Sequence, residues 1–399
     1  MPEPRDRDNS STIGPADLRA LAERRDPLGI LSVYVDADPG AHDSDRRPWE
    51  TELDVRMRDL AAEVKRDGPR ERWQAFEQTR ERVAALLDTA ASPATSGRAR
   101  VVFASLSDAW TAHDTFQLAT TTEAILDQSP RIRPLVKLFR DGAPAGAVIV
   151  SRDAIEMVEV RLGYPERLGG PGFEGAAPDS REKKGPAAGN PARAQQTAPQ
   201  RDRHEHHVDD RRERFLASAA ATVADMAASR GWDELLLMGD PRLAGVVEDN
   251  LAAGSSGPRV SLLDINPGGL TDDELAAWMR GELAGLRSAR RRERVQAVIG
   301  AAVQGRAGVT SADEVLVALA EGRVEALLYD EDVVLHGTRL PDGRLVALER
   351  APAEIGAGEE PLLIERMIEM ALATEAEVVP LSGTESDGLE QGVGAALRW

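Results

Sequence analysis

The sequence predicts an α/β protein built as three consecutive α/β domains. Three observations carry this expectation. At 399 residues the chain exceeds what one ordinary core accommodates, so two or three domains are expected. Short β-branched runs alternate with stripes of apolar residues at helical spacing along the chain. The alternation breaks once, over residues 169–207, which contain no Val, Ile, Leu or Met.

The first segment covers residues 1–142. A helix is expected over 15–25. The run ILSVYVD then reads as a strand that ends at the turn-forming Asp38-Pro39-Gly40. Leu53, Met57, Leu60, Ala61 and Val64 share one helix face, and Trp73, Phe76, Val83, Leu86 and Leu87 mark a second helix. The run VVFAS at 101–105 follows as a strand, which makes this domain helices on a small sheet.

The second segment covers 143–268. Runs at 147–150 and 155–162 flank Ser151-Arg152-Asp153 and read as a hairpin. A long loop, 169–207, comes next. Phe215, Leu216, Ala219, Val223 and Met226 then mark a helix over 208–229. A strand at 234–238, the turn Gly239-Asp240-Pro241, a helix to Leu251 and a strand at 260–265 predict parallel pairing. The third segment, 269–399, starts with a long helix bearing Leu275, Trp278, Met279, Leu283 and Leu286. It continues with a helix at 311–320, a strand at 324–329, a polar hairpin around Pro341-Asp342-Gly343, a helix at 361–374 and strands at 378–381 and 394–398.

Composition narrows the function classes. Apolar residues make up 42% of the chain, enough for globular folding, and no run nears the roughly 18 residues of a membrane span. There is no cysteine, which excludes disulfides, thiolate nucleophiles and Cys-ligated zinc. The first residues carry no apolar signal core, so a cytoplasmic protein is expected. The formal net charge is −19. Most of such a surface repels phosphate, so any contact with RNA has to be local. Residues 181–203 run the other way: Arg181, Lys183, Lys184, Arg193, Arg201 and Arg203 stand against Glu182 and Asp202, a balance of +4. A stretch this poor in apolar side chains buries too little surface to offset its ordering entropy. It reads either as a basic finger that reaches a phosphate-rich place or as an inert insertion.

The site candidates each have a plainer reading. His204, His206 and His207 stand near Asp209 and Asp210, but their spacing does not put all three rings on one helical face. A solvated helix start or an RNA-facing cluster is favoured over a metal site, and the two acids suit a helix N-terminus. The Gly239-Asp240-Pro241 turn lacks any glycine-rich phosphate signature around it. The run Arg287, Arg290, Arg291, Arg292 and Arg294 suits RNA phosphate or a solvated helix face with an interdomain pairing through Glu293 about equally.

Several strings in their order resemble the archaeal–eukaryotic class-one release factors and the Pelota-type rescue proteins, and most closely their bacterial branch. These are LSVYVDADP in the first segment, HHVDDRRERF and ELLLMGDPRL in the second, and ADEVLVALAEGRVEALLYDED and the final GLEQGVGAALRW in the third. The resemblance implies a divergent N-terminal decoding-side domain, a ribonuclease-H-like middle domain and a C-terminal release-factor-like domain. Family members that release peptides carry Gly-Gly-Gln at the tip of the middle-domain loop. The corresponding stretch here is Ala188-Gly189-Asn190-Pro191-Ala192-Arg193-Ala194-Gln195-Gln196, and no Gly-Gly-Gln occurs in the sequence. Without the glycine pair, close approach of backbone and water to an ester is hindered.

A bacterial subgroup without that motif, the Balon-type ribosome hibernation factors, occupies the A site of idle ribosomes in association with elongation factor Tu. The resemblance implies a ribosome-bound monomer, with no cofactor, metal or membrane partner. It also implies contact with 16S and 23S rRNA through Lys183, Lys184, Gly189, Asn190, Pro191, Arg193, Gln195, Gln196, Arg201, Arg203, His204, His206 and His207. Two other readings stand beside it. One is a peptidyl-tRNA hydrolase or tRNA-cleaving rescue factor that uses Gln195, Gln196 or a loop histidine. The other is a member that binds a protein partner and never enters the ribosome.

Overall fold

The computed structural model describes residues 10–11, 13–37, 48–90, 98–173, 194–251, 257–265, 267, 269–348 and 358–399. They fall into two compact units, Met1–Gly142 with Ala284–Trp399, and Ala143–Leu283. The chain is mixed α/β throughout. Among the described residues no helix is long and apolar enough to cross a membrane.

The first unit begins with β1 (Ser10–Ser11), α1 (Leu18–Glu23), β2 (Ile30–Asp36), α2 (Pro48–Asp67), α3 (Arg70–Ala90), β3 (Ala99–Ser105), β4 (Thr111–Phe116), β5 (Glu123–Asp127) and α4 (Arg133–Asp141). The sheet order is β1-β4-β3-β2-β5. Strand β2 lies inside it, paired antiparallel to both β3 and β5. That position explains its nearly continuous apolar run, because Ile30, Leu31, Val33, Tyr34 and Val35 are all buried, with only Ser32 polar between them. Leu53, Met57, Val64, Phe76, Val83 and Leu87 from α2 and α3 cover one face, as their helical spacing predicts. Strands β4 and β5 escape the sequence pattern. Their sequences, TAHDTF and EAILD, are half polar and mostly half-buried: β5 is an edge strand, and β4 is flanked on one side only by the two-residue β1.

The second unit holds β6 (Ala145–Val150), β7 (Ile155–Arg161), β8 (Tyr164–Gly169), α5 (Ala194–Arg230), β9 (Glu234–Gly239), α6 (Pro241–Leu251) and β10 (Arg259–Leu262). The expected hairpin is present as β6 and β7 in antiparallel register. The expected parallel pairing is present between β9 and β10, and β6 also runs parallel to β9. The sheet order is β10-β9-β6-β7-β8. Leu216, Ala219, Ala220, Val223 and Ala227 seat α5 on this sheet. Gly239-Asp240-Pro241 is a strand-to-helix turn. Gly239 has φ of 110°, where a Cβ would lie 2.2 Å from the Val150 carbonyl oxygen. The Asp240 carboxylate accepts the N–H groups of Arg242 and Leu243 at the start of α6.

The loop expected over 169–207 is shorter than its composition suggests. Residues 169–173 hold to the hairpin: Phe173 N–H donates to the Asp153 carbonyl at 2.7 Å, and the Phe173 ring packs on Phe215. Helix α5 begins at Ala194, not at 208. A helix seated on the sheet by its later turns can extend on its own backbone bonds, and Ala, Gln, Arg and Glu over 194–207 are sound helix formers, although Pro199 forfeits one such bond. Residues 174–193 lie outside the described residues.

Helix α7 (Asp272–Val303) leads back into the first unit. There follow β11 (Gly308–Val309), α8 (Ala312–Ala320), β12 (Val324–Asp330), β13 (Gly337–Arg339), β14 (Leu345–Ala347), β15 (Glu359–Glu360), α9 (Leu363–Ala373), β16 (Glu377–Leu381) and β17 (Val393–Leu397). The main sheet has the order β11-β17-β12-β16. The expected polar hairpin is present as β13 and β14. Val295 and Val298 of α7 pack on Ala326, Leu328 and Leu381.

Gly146 shows how tightly the second unit is packed. A Cβ there would lie 2.2 Å from the Trp232 ring, whose indole N–H donates to the buried Glu159 carboxylate at 2.8 Å. Gly146→Ala is expected to destabilise the fold by about 1–3 kcal/mol through overpacking. The measurement is a lower denaturant midpoint with altered Trp232 fluorescence. Gly245→Ala, within α6 and with nothing within 4 Å of its Cβ, is the control and is expected to be neutral or mildly stabilising.

Candidate functional site

A buried network of charged groups is built around the short segment before α4. Ser129, Arg131, Ile132 and Arg133 sit where β5 gives way to the helix. Arg131 N–H donates to Ser32 Oγ at 2.9 Å, and Tyr34 Oη donates to the Arg131 carbonyl at 2.5 Å. The segment is thereby pinned to β2.

Helix α9 supplies the opposing charges. Its apolar positions Leu363, Ile364, Met367, Ile368 and Ala371 are buried, and so are Glu365 and Glu369. Glu365 Oε1 accepts the N–H groups of Ile132 at 2.5 Å and Arg133 at 3.0 Å, which caps α4 from another element. Its Oε2 lies 3.5 Å from Arg131 Nη1. Burial pushes the Glu365 carboxyl above the ordinary carboxylate value, against the pull of Arg131 and the two N–H groups.

Arg366 is the hub of a second cluster. Its Nη1 donates to Glu369 Oε1 at 2.6 Å and to Ser129 Oγ at 2.7 Å, and Nη2 donates to Asp127. Its Nε lies 3.3 Å from Glu360. Burial works against the guanidinium charge, but Glu369, Asp127 and Glu360 outweigh it and raise its pKa. Arg25 adds a bond to Glu369 at 2.7 Å.

Arg133 points to the C-terminal half of the unit. Its Nη2 donates to the carbonyls of Asp330, Glu331 and Val333, and its guanidinium lies 5.5 Å from the Tyr329 ring centroid. Farther along α4, Lys137 Nζ sits 2.6 Å from Glu331 and 3.2 Å from Asp141. Arg140 pairs with Glu377 at 3.0 Å.

The basic run of α7 joins the same lattice. Arg287 donates to the Asp141 carbonyl. Arg291 grips Glu385 through two nitrogens, at 2.7 and 3.1 Å, and Arg294 meets Glu377 at 2.5 Å. Burial raises the Glu377 and Glu385 carboxyls, but their arginine partners outweigh it and hold both below the usual value. Arg291 and Arg294 are ion-paired, though with Glu385 and Glu377 instead of through Glu293 on a solvated face, and Arg287 is bonded to backbone.

Sequence reasoning singled out the basic run of α7 but not the clusters around Glu365 and Arg366. Their one sequence signal is the pair Glu365 and Glu369, four residues apart and embedded between apolar positions on a helix.

The residues expected to face ribosomal RNA are placed in two groups. Lys183, Lys184, Gly189, Asn190, Pro191 and Arg193 lie outside the described residues. Gln195, Gln196, Arg201, Arg203, His204, His206 and His207 belong to the first turns of α5 and not to a loop. That helix is fixed to the hairpin from Arg212 onward, where the guanidinium packs on Phe173 at 5.6 Å and donates to the Arg152 carbonyl. Among the residues whose side chains are described, no cluster of three or more metal-ligating groups occurs.

Residues 130–257 match the family model of bacterial archaeo-eukaryotic release factor family 10. That stretch runs from the pinned segment before α4 through α6, and includes the basic insertion. No curated protein sequence matches the chain. Among solved structures, the chain is similar to a ribosome-bound archaeal Pelota, with 15% identity, 75% of this chain and 77% of that chain covered, and a TM-score of 0.41. It is also similar to Dom34 of S. cerevisiae, described as a translation termination-like factor, with 8% identity, 75% and 79% coverage and a TM-score of 0.40. The archaeal translation termination factor aRF1 is matched over 97% of this chain and 99% of that chain, with 15% identity and a TM-score of 0.25.

Two outcomes test the lattice. Glu365→Ala leaves Arg131 and two backbone N–H groups without their acceptor and is expected to cost about 3–5 kcal/mol in chemical denaturation. Glu365→Gln keeps a carbonyl oxygen and costs less. The second test is acid titration. The Glu377 and Glu385 carboxyls bind protons more weakly in the folded than in the unfolded chain. The unfolded chain therefore takes up protons first, and stability falls as pH drops from the ordinary value of 4.5 through their lower folded values. Glu365 has the opposite sign, since its raised value favours the folded chain at low pH and that share is lost as pH rises. A thermal midpoint measured against pH should show a shallower acid limb in a Glu377→Gln/Glu385→Gln variant.

Proposed function

We propose that this chain is a ribosome-binding translation factor of release-factor type that occupies the A site without hydrolysing peptidyl-tRNA. One observation carries the reading: the match of residues 130–257 to a release-factor family model, over a stretch whose inserted segment is basic and has no Gly-Gly-Gln. The three segments 1–142, 143–268 and 269–399 are the proposed decoding-side, middle and C-terminal modules. The middle module brings residues 174–193 and the first turns of α5 toward the peptidyl-transferase centre.

Charge supports the same reading. A chain at −19 is repelled by rRNA over most of its surface, so a local balance of +4 over 181–203 is suited to a focused contact. Binding of this kind weakens with salt, because each neutralised phosphate releases counterions. The finer proposal is hibernation, with the factor on idle ribosomes and elongation factor Tu as a partner.

The test is co-sedimentation with 70S ribosomes at low and high salt. The intact chain is expected to pellet with ribosomes at low salt and to be released at high salt. Removal of residues 183–203 is expected to weaken pelleting at least tenfold, since the loss of even a few phosphate contacts has that effect. Circular dichroism should show both units still folded. Unchanged pelleting after the deletion would remove the segment from the proposal. Peptidyl-tRNA hydrolysis that vanishes in Gln195→Ala or Gln196→Ala would replace hibernation with the rescue reading.

A further inference from the structure

The first unit contains a cavity of about 300 Å³ beside the pinned segment, at the lower end of the size range for small-molecule sites. Its walls come from the turn before β5, from α4 and from the end of β12. The volume suits a single small molecule, not a polymer strand.

The polar groups that line it are incompletely used. Tyr329 is fully buried, lines the cavity and has no hydrogen-bond partner for its hydroxyl. Buried hydroxyls are ordinarily satisfied, so an orphan facing a cavity needs an explanation. Burial pushes the phenol far above its usual pKa, so it remains an O–H donor. Arg133, also on the wall, binds its three carbonyls through Nη2 alone. Its Nε and Nη1 make no hydrogen bond among the described residues.

The opposite charge is also present on the wall. Glu123 Oε1 is buried without a hydrogen bond and lies 3.5 Å from Arg131 Nε. Asp332, an exposed residue, also lines the cavity, and its carboxylate accepts no hydrogen bond among the described residues. Lys137 and Glu331 are already paired with each other at 2.6 Å. Ala119, Pro134 and Leu138 supply an apolar wall. An anion alone would leave Asp332 without a counter-charge, and a cation alone would leave Tyr329 Oη without an acceptor.

We infer that this cavity binds a small zwitterion, a free α-amino acid, with its carboxylate on Arg133 and Tyr329 Oη and its ammonium on Glu123 and Asp332. Its side chain lies against Ala119, Pro134 and Leu138. The inference is independent of ribosome binding and reaches beyond it, since it assigns the chain a metabolite ligand.

Isothermal titration calorimetry on the full chain tests it, with free alanine, serine, leucine and glutamate as probes. Acetate, methylammonium and inorganic phosphate are the comparison arms. At least one amino acid is expected to bind about tenfold or more tightly than acetate or methylammonium, and to raise the thermal midpoint. Tyr329→Phe removes only the hydroxyl, which has no partner to lose. It should leave the unligated midpoint unchanged and weaken the amino acid about tenfold, the loss of one charge-assisted hydrogen bond. Asp332→Asn should weaken the same ligand. The inference is overturned if no amino acid binds, if acetate or phosphate binds as tightly as the best amino acid, or if both variants keep the parent affinity.

Discussion

Glu365 sets the terms for the first unit. A carboxylate with 1% of its side chain exposed is costly to bury unless its oxygens are met. The groups that meet it are the N–H groups of Ile132 and Arg133 and the guanidinium of Arg131, more than two hundred residues earlier in the chain. The start of α4 therefore cannot move without exposing an unsatisfied charge. Arg133, carried by the same turn, is held against the carbonyls at the end of β12, and Arg366 fastens Asp127 and Ser129 from the next position on α9. A buried network of this sort contributes little net stability over a well-packed apolar alternative, but it tolerates only one arrangement. It also holds Arg131 and Arg133, two of the residues that line the adjoining cavity.

The same principle governs where the arginines go. The chain carries more acids than bases, yet many of its arginines are bound into internal pairs. Arg291 and Arg294 of α7 meet Glu385 and Glu377, and Arg140 of α4 shares Glu377. A basic run on a helix face thus has a structural use within the first unit. The contrast with residues 181–203 is one of context. That stretch has few acids and no aliphatic anchor of its own, so its cations have little local means of neutralisation. In the proposed function this difference separates the arginines that build the fold from the cations that meet phosphate.

Much of the secondary structure was legible in the sequence wherever burial is one-sided or complete. The stripes of α2 and α3, the hairpin of β6 and β7, the parallel strands β9 and β10, and the turn at Gly239 all follow from periodicity and turn chemistry. Strands β4 and β5 did not, because half-polar segments carry no alternation strong enough to distinguish them from loops. The early start of α5 was missed for a related reason. Absence of aliphatic residues was read as absence of order, whereas a helix already seated by Leu216, Ala219 and Val223 can extend for several turns beyond its packed part.

By itself, then, the sequence determined the α/β class, most element positions and the charge contrast between body and insertion, because these depend on neighbours a few residues apart. The tertiary structure alone decided that residues 1–142 and 284–399 pack as one unit, that Glu365 caps α4, and that Tyr329, Arg133, Glu123 and Asp332 surround one cavity. Those facts rest on contacts across hundreds of residues. Linear spacing holds no record of them, since any of the many acids could in principle have met any of the arginines until the fold chose among them.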